Sequence, residues 1–231
     1  MGDRPNPFAG YYAKKLSGER LREVYLTAPP RARAYLEDEI AFIERSAPRE
    51  GRILELGCGY GRVLGALAAP RRALFGIDTS IESLLLAREV LRGERRARLA
   101  CMDAAGLGFL DRTFDLTVSA QNGIAAFHVD RRALVREAVR VTRPGGRVLF
   151  SSYAERFWEG RLEWFRAQAA RGLVGAIDEE ATRNGVIACK DGLRLETVGA
   201  DAFRDLVSPL GLPVRIEEVA SSSLFCIISV E

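Results

Sequence analysis

A glycine-rich segment is the part of the sequence best suited to hold a ligand. Gly57, Gly59 and Gly61 alternate directly after a short apolar run at residues 52–56. Glycine tolerates positive φ angles and lets a ligand come close to the main chain. A helix that begins after such a loop offers free N–H groups to a negatively charged ligand group. We interpret the segment as a ligand-binding loop; the competing interpretation is a tight turn that binds nothing.

Two aspartates follow the next two apolar runs. Asp78 comes after residues 73–77, where its carboxylate can accept hydrogen bonds from two ribose hydroxyls. Asp103 comes after residues 98–101 and can accept a hydrogen bond from an exocyclic adenine amine. The alternatives are that Asp78 only caps a helix and that Asp103 is a solvated loop residue.

The glycine spacing differs from that of two common nucleotide-binding motifs. A dinucleotide fingerprint, GxGxxG, needs glycine at position 62, where this chain has Arg62. A phosphate loop of the form GxxxxGK(S/T) is absent from the sequence. The loop therefore matches neither of these two motifs.

The elements around these residues alternate between strand and helix. Apolar runs predict strands, and amphipathic spacing with capping residues predicts helices. The strands are expected at residues 52–56, 73–77, 98–101, 114–119 and 147–152, and the helices at 61–69, 80–91 and 131–141. Either Thr79 or Ser80 is expected to cap the start of the second helix, and Asp130 the start of the third. Pro144-Gly145-Gly146 is expected to end the third helix. This alternation predicts an α/β domain with a mostly parallel sheet.

The flanking segments break this alternation and divide the chain into four parts. Residues 1–50 are predicted to be a helical lid, with helices at 11–24 and after Pro29-Pro30, where Leu36, Ile40 and Ile43 form an apolar face. Residues 51–153 form the core. Residues 154–199 form a cap with a helix at 155–171 and a hairpin around Asp191-Gly192. Residues 200–231 return to the core with a helix at 200–210 and two antiparallel strands at 213–219 and 224–230.

The ordered motifs ELGCGYG, GID, MDA, FDLTVS and RPGG span about residues 50–152. In this order they resemble the class I S-adenosylmethionine-dependent methyltransferases of the small-molecule type. The resemblance implies a Rossmann-like, seven-stranded, mostly parallel sheet whose last strand is antiparallel, with helices on both faces. It also implies S-adenosylmethionine as cofactor, bound across the ends of the first, second and fourth strands.

The resemblance also implies which residues hold the cofactor. The loop residues hold its methionine and ribose region, the aspartate after the second strand takes the ribose hydroxyls, and the residues after the third strand read the adenine. The set carried over is Glu55, Gly57, Cys58, Gly59, Gly61, Asp78, Thr79, Asp103, Ala104 and Gln121, the last lining the methionine end. Cys58 is expected mainly to pack, because small residues fit in such a loop.

Three side chains are candidates for the catalytic step. His128 is the only histidine and follows the fourth predicted strand, where it could remove a proton from the methyl acceptor. Tyr11 or Tyr12, in the segment Asn6–Tyr12, could face the sulfonium methyl as an aromatic ring faces a cation. The alternatives are a solvent-facing histidine and tyrosines that only pack in the core.

Composition excludes several classes of protein. A net charge of +3 is too small to indicate a nucleic-acid footprint, and the clustered Arg131, Arg132, Arg136, Arg140 and Arg143 are interpreted as a solvated helix face. No (N/D)PP(Y/F) motif follows the fourth strand, which favours a small-molecule acceptor over DNA bases or glutamine. No apolar run is long enough to span a membrane, and the first residues lack a signal-peptide pattern, so we expect a cytosolic protein without a membrane partner.

Four well-separated cysteines and scattered acidic residues indicate reduced thiols and no metal centre. The function that best fits the whole sequence is methyl transfer to O, N or C of a small molecule. An RNA or protein methyltransferase and a non-catalytic cofactor-binding module are the alternatives.

Overall fold

The computed structural model describes residues 10–231 and contains nine helices and nine strands within that range. The strands are β1 Gly51–Leu56, β2 Arg72–Asp78, β3 Ala97–Cys101, β4 Phe114–Ser119, β5 Thr142–Tyr153, β6 Val186–Ala188, β7 Arg194–Glu196, β8 Val214–Val219 and β9 Ser223–Ser229. The helices are α1 Tyr11–Lys14, α2 Gly18–Leu26, α3 Pro30–Ser46, α4 Arg62–Ala66, α5 Ile81–Val90, α6 Gly123–Ala126, α7 Arg131–Val141, α8 Trp158–Ala170 and α9 Ala200–Val207.

Seven of the strands form one sheet in the order β3-β2-β1-β4-β5-β9-β8. β1 to β5 pair in parallel, with Leu54 opposite both Phe75 and Thr117, and β9 runs antiparallel to its two neighbours β5 and β8. The predicted fold class is therefore confirmed. Because β1, β2 and β4 are parallel neighbours, their carboxyl ends lie at one edge of the sheet, where open α/β sheets bind ligands.

Successive residues of β1 enter two different apolar clusters. Leu54 and Leu56 pack with Phe114 and Phe150, whereas Ile53 packs with Leu116 on the other side. This division follows from the two-residue period of a strand. Helices cover both faces of the sheet, which explains why the core strands are apolar at consecutive positions.

Two predicted helix starts depend on side-chain caps. Ser80 Oγ accepts a 3.1 Å hydrogen bond from the Ser83 amide at the start of α5, so Ser80 rather than Thr79 is the cap. Asp130 Oδ1 accepts a 3.0 Å bond from the Arg132 amide at the start of α7. Each cap satisfies one of the amide donors that the first turn of a helix leaves unpaired.

The expected single helix over residues 11–24 is wrong, because the chain breaks between α1 and α2. Gly18 has a φ of +53°, and its amide donates a 3.0 Å hydrogen bond to Ser83 Oγ. Ser17 Oγ donates a 2.7 Å bond to Glu82. These two contacts to α5 redirect the chain at a residue type that tolerates positive φ.

The expected boundary at Pro144-Gly145-Gly146 is also wrong, because β5 already begins at Thr142. The Gly145 amide donates a 2.8 Å bond to the Val230 carbonyl, and the Val230 amide donates a 3.1 Å bond to Gly146. Pairing with the end of the chain thus extends the strand through residues that favour turns. Three helices are also shorter than expected: α4 ends at Ala66, α8 begins at Trp158 after a 3₁₀ turn, and α9 ends at Val207.

The segments before and after the core pack against each other. One apolar cluster combines Tyr35 of the N-terminal part with Phe157, Trp164 and Leu195 of the later segment. Trp164 Nε1 donates a 3.0 Å hydrogen bond to the Val24 carbonyl. The hairpin predicted around Asp191-Gly192 is present as β6 and β7. The expectation for residues 6–9 of the N-terminal leader lies outside the described residues.

Within residues 10–231, every helix is too short or too polar to cross a lipid bilayer.

Candidate functional site

A cavity of about 440 Å³ opens at the edge of the sheet where β1, β2 and β4 end. Its lining includes all but one of the residues that the sequence predicted for cofactor binding and catalysis. Those that contribute are Tyr11, Tyr12, Glu55, Gly57, Cys58, Gly59, Asp78, Thr79, Asp103, Ala104, Gln121 and His128. The structure therefore brings together side chains that are up to 117 positions apart in the sequence.

The exception is Gly61, which does not line the cavity. It has a φ of +85° at the start of α4, and a Cβ built there would lie 3.2 Å from Leu91 Cδ1 and 3.4 Å from Ala87 Cβ. Gly61 therefore allows α4 to pack closely on α5. The predicted ligand-binding role of Gly61 stays a prediction.

Gly57 and Gly59 have φ angles of +71° and +53°, which only glycine adopts without strain. A Cβ on Gly57 would lie 2.7 Å from the Phe127 ring, and one on Gly59 would lie 3.0 Å from Leu21. Both glycines therefore let other parts of the cavity wall come close to the loop.

Asp78 holds the glycine loop to the start of α5. Its Oδ2 accepts a 2.9 Å hydrogen bond from the Gly59 amide, and its Oδ1 accepts a 2.8 Å bond from the Ser80 amide. Burial raises the pKa of this carboxyl, although the bonds from the Ser80 and Gly59 amides oppose the shift. Asp103 Oδ1 accepts a 2.9 Å bond from the Ala105 amide in the turn after β3. Each carboxylate therefore keeps lone pairs for a ligand.

Glu55 lies beneath the loop and is 3 % exposed. Its Oε2 has no hydrogen-bond partner among residues 10–231, and burial raises the pKa of the carboxyl well above its ordinary value. An unpaired buried acceptor is costly, so a ligand donor at this point would stabilise it. Burial also raises the pKa of the neighbouring Cys58 thiol, which is consistent with a packing role.

Glu39 of α3 is fully buried at the end of β4 and was not predicted as a site residue. Its Oε1 accepts hydrogen bonds from the Gln121 amide at 2.9 Å, Ser151 Oγ at 2.6 Å and Tyr35 Oη at 3.2 Å. Its Oε2 lies 3.5 Å from the guanidinium of Arg62. Glu39 therefore joins α3 to the turn after β4, where Gln121 has a left-handed φ of +59°.

Arg62 was not predicted as a ligand-binding residue either. It lines the cavity, and its Cζ atom lies 4.7 Å from the centre of the Tyr25 ring.

The sequence contained one indication of the contacts that Glu39 makes. Leu36, Glu39 and Ile43 fall on one face of α3, so an acidic residue occupies the apolar face of a helix. A carboxylate in that position is expected to be paired.

Five aromatic residues line one region of the cavity, which we call the aromatic end. It consists of Tyr12, Tyr25, Tyr153, Trp164 and Phe165. Burial raises the pKa of Tyr153 to about 12 and raises that of Tyr12 as well. Both phenols therefore remain protonated near neutral pH and can donate hydrogen bonds.

His128 lies at the rim of the cavity and is exposed. Its backbone has a left-handed φ of +52°. Its side chain makes no hydrogen bond with the described residues. This position allows contact with a ligand at the rim, and the catalytic role of His128 stays a prediction.

Residues 53–146 match a family model described as a methyltransferase domain. The malonyl-[acyl-carrier protein] O-methyltransferase of Methylococcus capsulatus is 33% identical over 153 residues, which cover 65% of this chain and 54% of that protein. The 2-methyl-6-phytyl-1,4-hydroquinone methyltransferase of Synechocystis sp. is 26% identical over 159 residues, which cover 62% of this chain and 49% of that protein. The chain thus spans about half the length of these relatives.

A solved structure shares the fold over the whole chain. It is described as a putative S-adenosyl-L-methionine-dependent methyltransferase from Methanococcus maripaludis, with a TM-score of 0.67, 16% identity and coverage of 100% of this chain and 97% of that one. This likeness shows a shared fold, and the match over residues 53–146 shows that the chain contains a methyltransferase domain.

Proposed function

We propose that the protein transfers the methyl group of S-adenosylmethionine to O, N or C of a small-molecule acceptor. The observation that carries this proposal is the single cavity that joins the glycine loop to the aromatic end. A cofactor held at the loop and an acceptor held at the aromatic end would meet inside one enclosed space. Such enclosure aligns the reacting atoms and excludes water, which is most of what a methyl transfer requires.

The residues at the glycine loop fit the proposed cofactor. Asp78 and Asp103 offer carboxylate oxygens to ribose hydroxyls and the adenine amine, and Ala104 offers its backbone beside them. Glu55 Oε2, which has no partner among residues 10–231, suits a charged amino group. When bound, the cofactor supplies an activated methyl group on a sulfonium. The residues of the chain then have to align the acceptor with the methyl group and exclude water from it.

The aromatic end supports a small and largely apolar acceptor. Its walls come from α1, α2, β5 and α8, so the N-terminal helices and the segment after β5 both enclose the acceptor position. By their names, the malonyl-[acyl-carrier protein] and hydroquinone methyltransferases described above act on different acceptors. The acceptor of this chain therefore has to be inferred from the residues that line its own cavity.

The arginines of α7 support a small molecule over RNA. Four of the five clustered arginines, all but Arg132, are paired: Arg131 with Glu196, Arg136 with Asp130, Arg140 with Asp111 and Glu137, and Arg143 at the start of β5 with Asp115. Charges that are already paired release few counterions from a nucleic acid, so they add little to its affinity. The Arg-rich helix is therefore a poor docking surface for phosphates.

Calorimetric titration tests the cofactor part of the proposal. We expect S-adenosylmethionine and S-adenosylhomocysteine to bind at one site per chain, and NAD to show no heat at the same concentrations. No heat with either adenosyl compound would refute the proposal. Binding without transfer to any acceptor would favour the alternative of a non-catalytic module.

The proposal includes a cytosolic location. All four cysteines are free, and Cys58, Cys189 and Cys226 are buried. Free thiols are typical of a reducing compartment. Cell fractionation with an antibody against the chain tests this point, and recovery in an oxidising compartment would contradict it.

A further inference from the structure

We infer that the acceptor bound in the aromatic end is an anion, attracted by the buried guanidinium of Arg161; this inference rests on the proposed function and names the acceptor's chemical class. It depends on where Arg161 lies, on which charges neutralise it, and on which donors around the cavity are free.

Arg161 stands directly behind the wall of the aromatic end. It lies on α8 with Trp164, Phe165 and Gln168, at a spacing of three, four and seven residues that places all four on one helix face. The last three line the cavity. The Cζ atom of Arg161 is 4.5 Å from the centre of the Tyr153 ring, which also lines the cavity, and 5.8 Å from that of Phe165.

Within residues 10–231, the charge of Arg161 has no carboxylate partner. The residue is 0 % exposed. Its Nη1 donates to the Gly185 carbonyl at 2.8 Å and to Thr197 Oγ1 at 2.7 Å, and its Nη2 donates to the Leu195 carbonyl at 3.1 Å. Its Nε has no partner in the same range.

The three hydrogen bonds connect α8 to the β6–β7 hairpin, but they do not neutralise the positive charge of Arg161. Neutral acceptors satisfy N–H groups without supplying a negative charge, and an unneutralised buried cation is costly. The two acidic residues nearest in sequence on α8, Glu159 and Glu163, are exposed. A buried guanidinium in this state stabilises any anion that enters the neighbouring cavity.

The rest of the cavity is consistent with this charge. Its lining carboxylates, Glu55, Asp78 and Asp103, all belong to the glycine-loop end. Elsewhere in the lining, Gln121 Nε2 is buried without a partner among residues 10–231, and Tyr12 of the aromatic end keeps a protonated hydroxyl. The aromatic end therefore combines apolar walls, a hydroxyl donor and a nearby positive charge.

An anionic acceptor also simplifies the chemistry. The acceptor oxygen, or the carbon of an enolate, supplies the electron pair of the new bond to the methyl carbon. The pair from the broken carbon–sulfur bond stays on sulfur, which becomes a neutral thioether. No proton has to leave, so the buried site needs no general base.

The test compares carboxylates with neutral amides of the same shape. Calorimetry would measure the binding of benzoate, cinnamate and 1-naphthoate, and of their amides, to the protein saturated with S-adenosylhomocysteine. We expect at least one carboxylate to bind about tenfold more tightly than its amide. Arg161→Met should remove this preference, whereas Arg166→Met, on the exposed face of the same helix, should keep it.

Two further variants separate the charge of Arg161 from its structural contacts. Thr197→Val removes the two hydrogen bonds of the Thr197 hydroxyl but no charge, so the protein should melt earlier and still prefer carboxylates. Arg161→Lys keeps a positive charge and should keep part of the preference even if Arg161→Met does not fold. Equal binding of acids and amides, no binding across the panel, or a preference that survives in folded Arg161→Met would overturn the inference.

The two proposals fail in different ways. If S-adenosylhomocysteine does not bind, the proposed function fails, and the same panel can still be titrated into the free protein. If S-adenosylhomocysteine binds and the panel shows no preference for carboxylates, only the anionic acceptor is refuted.

Discussion

The Tyr11 hydroxyl donates a 2.6 Å hydrogen bond to Asp191 Oδ2, across 180 positions of sequence. Lys15 Nζ donates a 2.8 Å bond to the carbonyl of the same aspartate. Asp191 lies at the tip of the β6–β7 hairpin, and Tyr11 lies on α1 at the wall of the cavity. These two bonds therefore join the N-terminal helices to the hairpin beside the cavity wall, and we call them the clasp.

Breaking the clasp should speed release of the bound cofactor product. Tyr11→Phe keeps the ring and removes the hydroxyl, and a partly exposed hydrogen bond to a carboxylate contributes about 1 kcal/mol. We expect the release rate of S-adenosylhomocysteine, measured by stopped-flow fluorescence, to rise about fivefold. Lys14→Ala, an exposed neighbour on the same helix, is the matched control. An unchanged rate in Tyr11→Phe would show that the clasp does not gate the cavity.

The stabilisation of the fold by the clasp should be lost at acidic pH. Burial raises the pKa of Asp191, but the bonds from Tyr11, Leu193 and Gly175 and the charge of Lys15 outweigh it, so the pKa is lowered. A carboxylate whose pKa is lower in the folded than in the unfolded chain stabilises the fold at pH values above its ordinary pKa near 4. This stabilisation is lost as the pH falls through the pKa of the folded state. The stability difference between the native chain and Asp191→Asn, measured by urea unfolding, should be constant from pH 8 to 5 and shrink below about pH 4. A difference that grows on acidification would contradict the assignment.

Asp78→Asn should weaken cofactor binding by roughly 10- to 100-fold, because bonds from ribose hydroxyls to a carboxylate are stronger than bonds to an amide. Calorimetry with S-adenosylhomocysteine measures the loss, and Asp201→Asn, at an exposed surface pair, is the control. Because burial raises the pKa of Asp78, native binding should weaken at mildly acidic pH as this carboxyl takes up a proton. Native affinity in Asp78→Asn would remove this residue from the site.

The sheet and most of the cavity could be predicted from sequence because their signals are local. Apolar runs marked the core strands, Asp130 marked the start of α7, and the residue after each strand lies at the ligand-binding edge by topology. The contacts of Glu39 could not be predicted in the same way. An acidic residue on an apolar helix face indicates a buried partner, but Ser151 lies 112 positions away.

Two other features required three-dimensional packing. Nothing in the alternating glycines distinguishes Gly61, which faces Leu91, from the two that line the cavity. The break at Gly18 follows from its contact with Ser83 on α5, which the helical pattern of residues 11–24 does not contain.

Glu39→Gln should destabilise the fold by about 3 kcal/mol, since it removes the charge opposite Arg62 and weakens a buried acceptor of three hydrogen bonds. The free energy of unfolding from urea titration measures this change. Glu37→Gln, exposed and two residues earlier on α3, should change it by less than about 0.5 kcal/mol. If Glu39→Gln lowered the free energy of unfolding by no more than Glu37→Gln, the contacts of Glu39 would not be needed to stabilise the fold.

His128→Ala distinguishes two accounts of the acceptor. If the acceptor arrives as an anion, as inferred above, kcat should stay within about threefold of the native value. If His128 acts as a general base, kcat should fall by roughly 10²- to 10⁴-fold and the pH–rate profile should lose its acidic limb. We expect the first result, and the second would reject the anionic acceptor while leaving methyl transfer intact.

Methyl transfer from methyl-labelled S-adenosylmethionine into a fractionated cell extract tests the central claim most directly. The account predicts label in the low-molecular-weight fraction with the native chain and little or none with Asp78→Asn at subsaturating cofactor. Label that enters only RNA or protein, or label that enters no fraction although the cofactor binds, would contradict it.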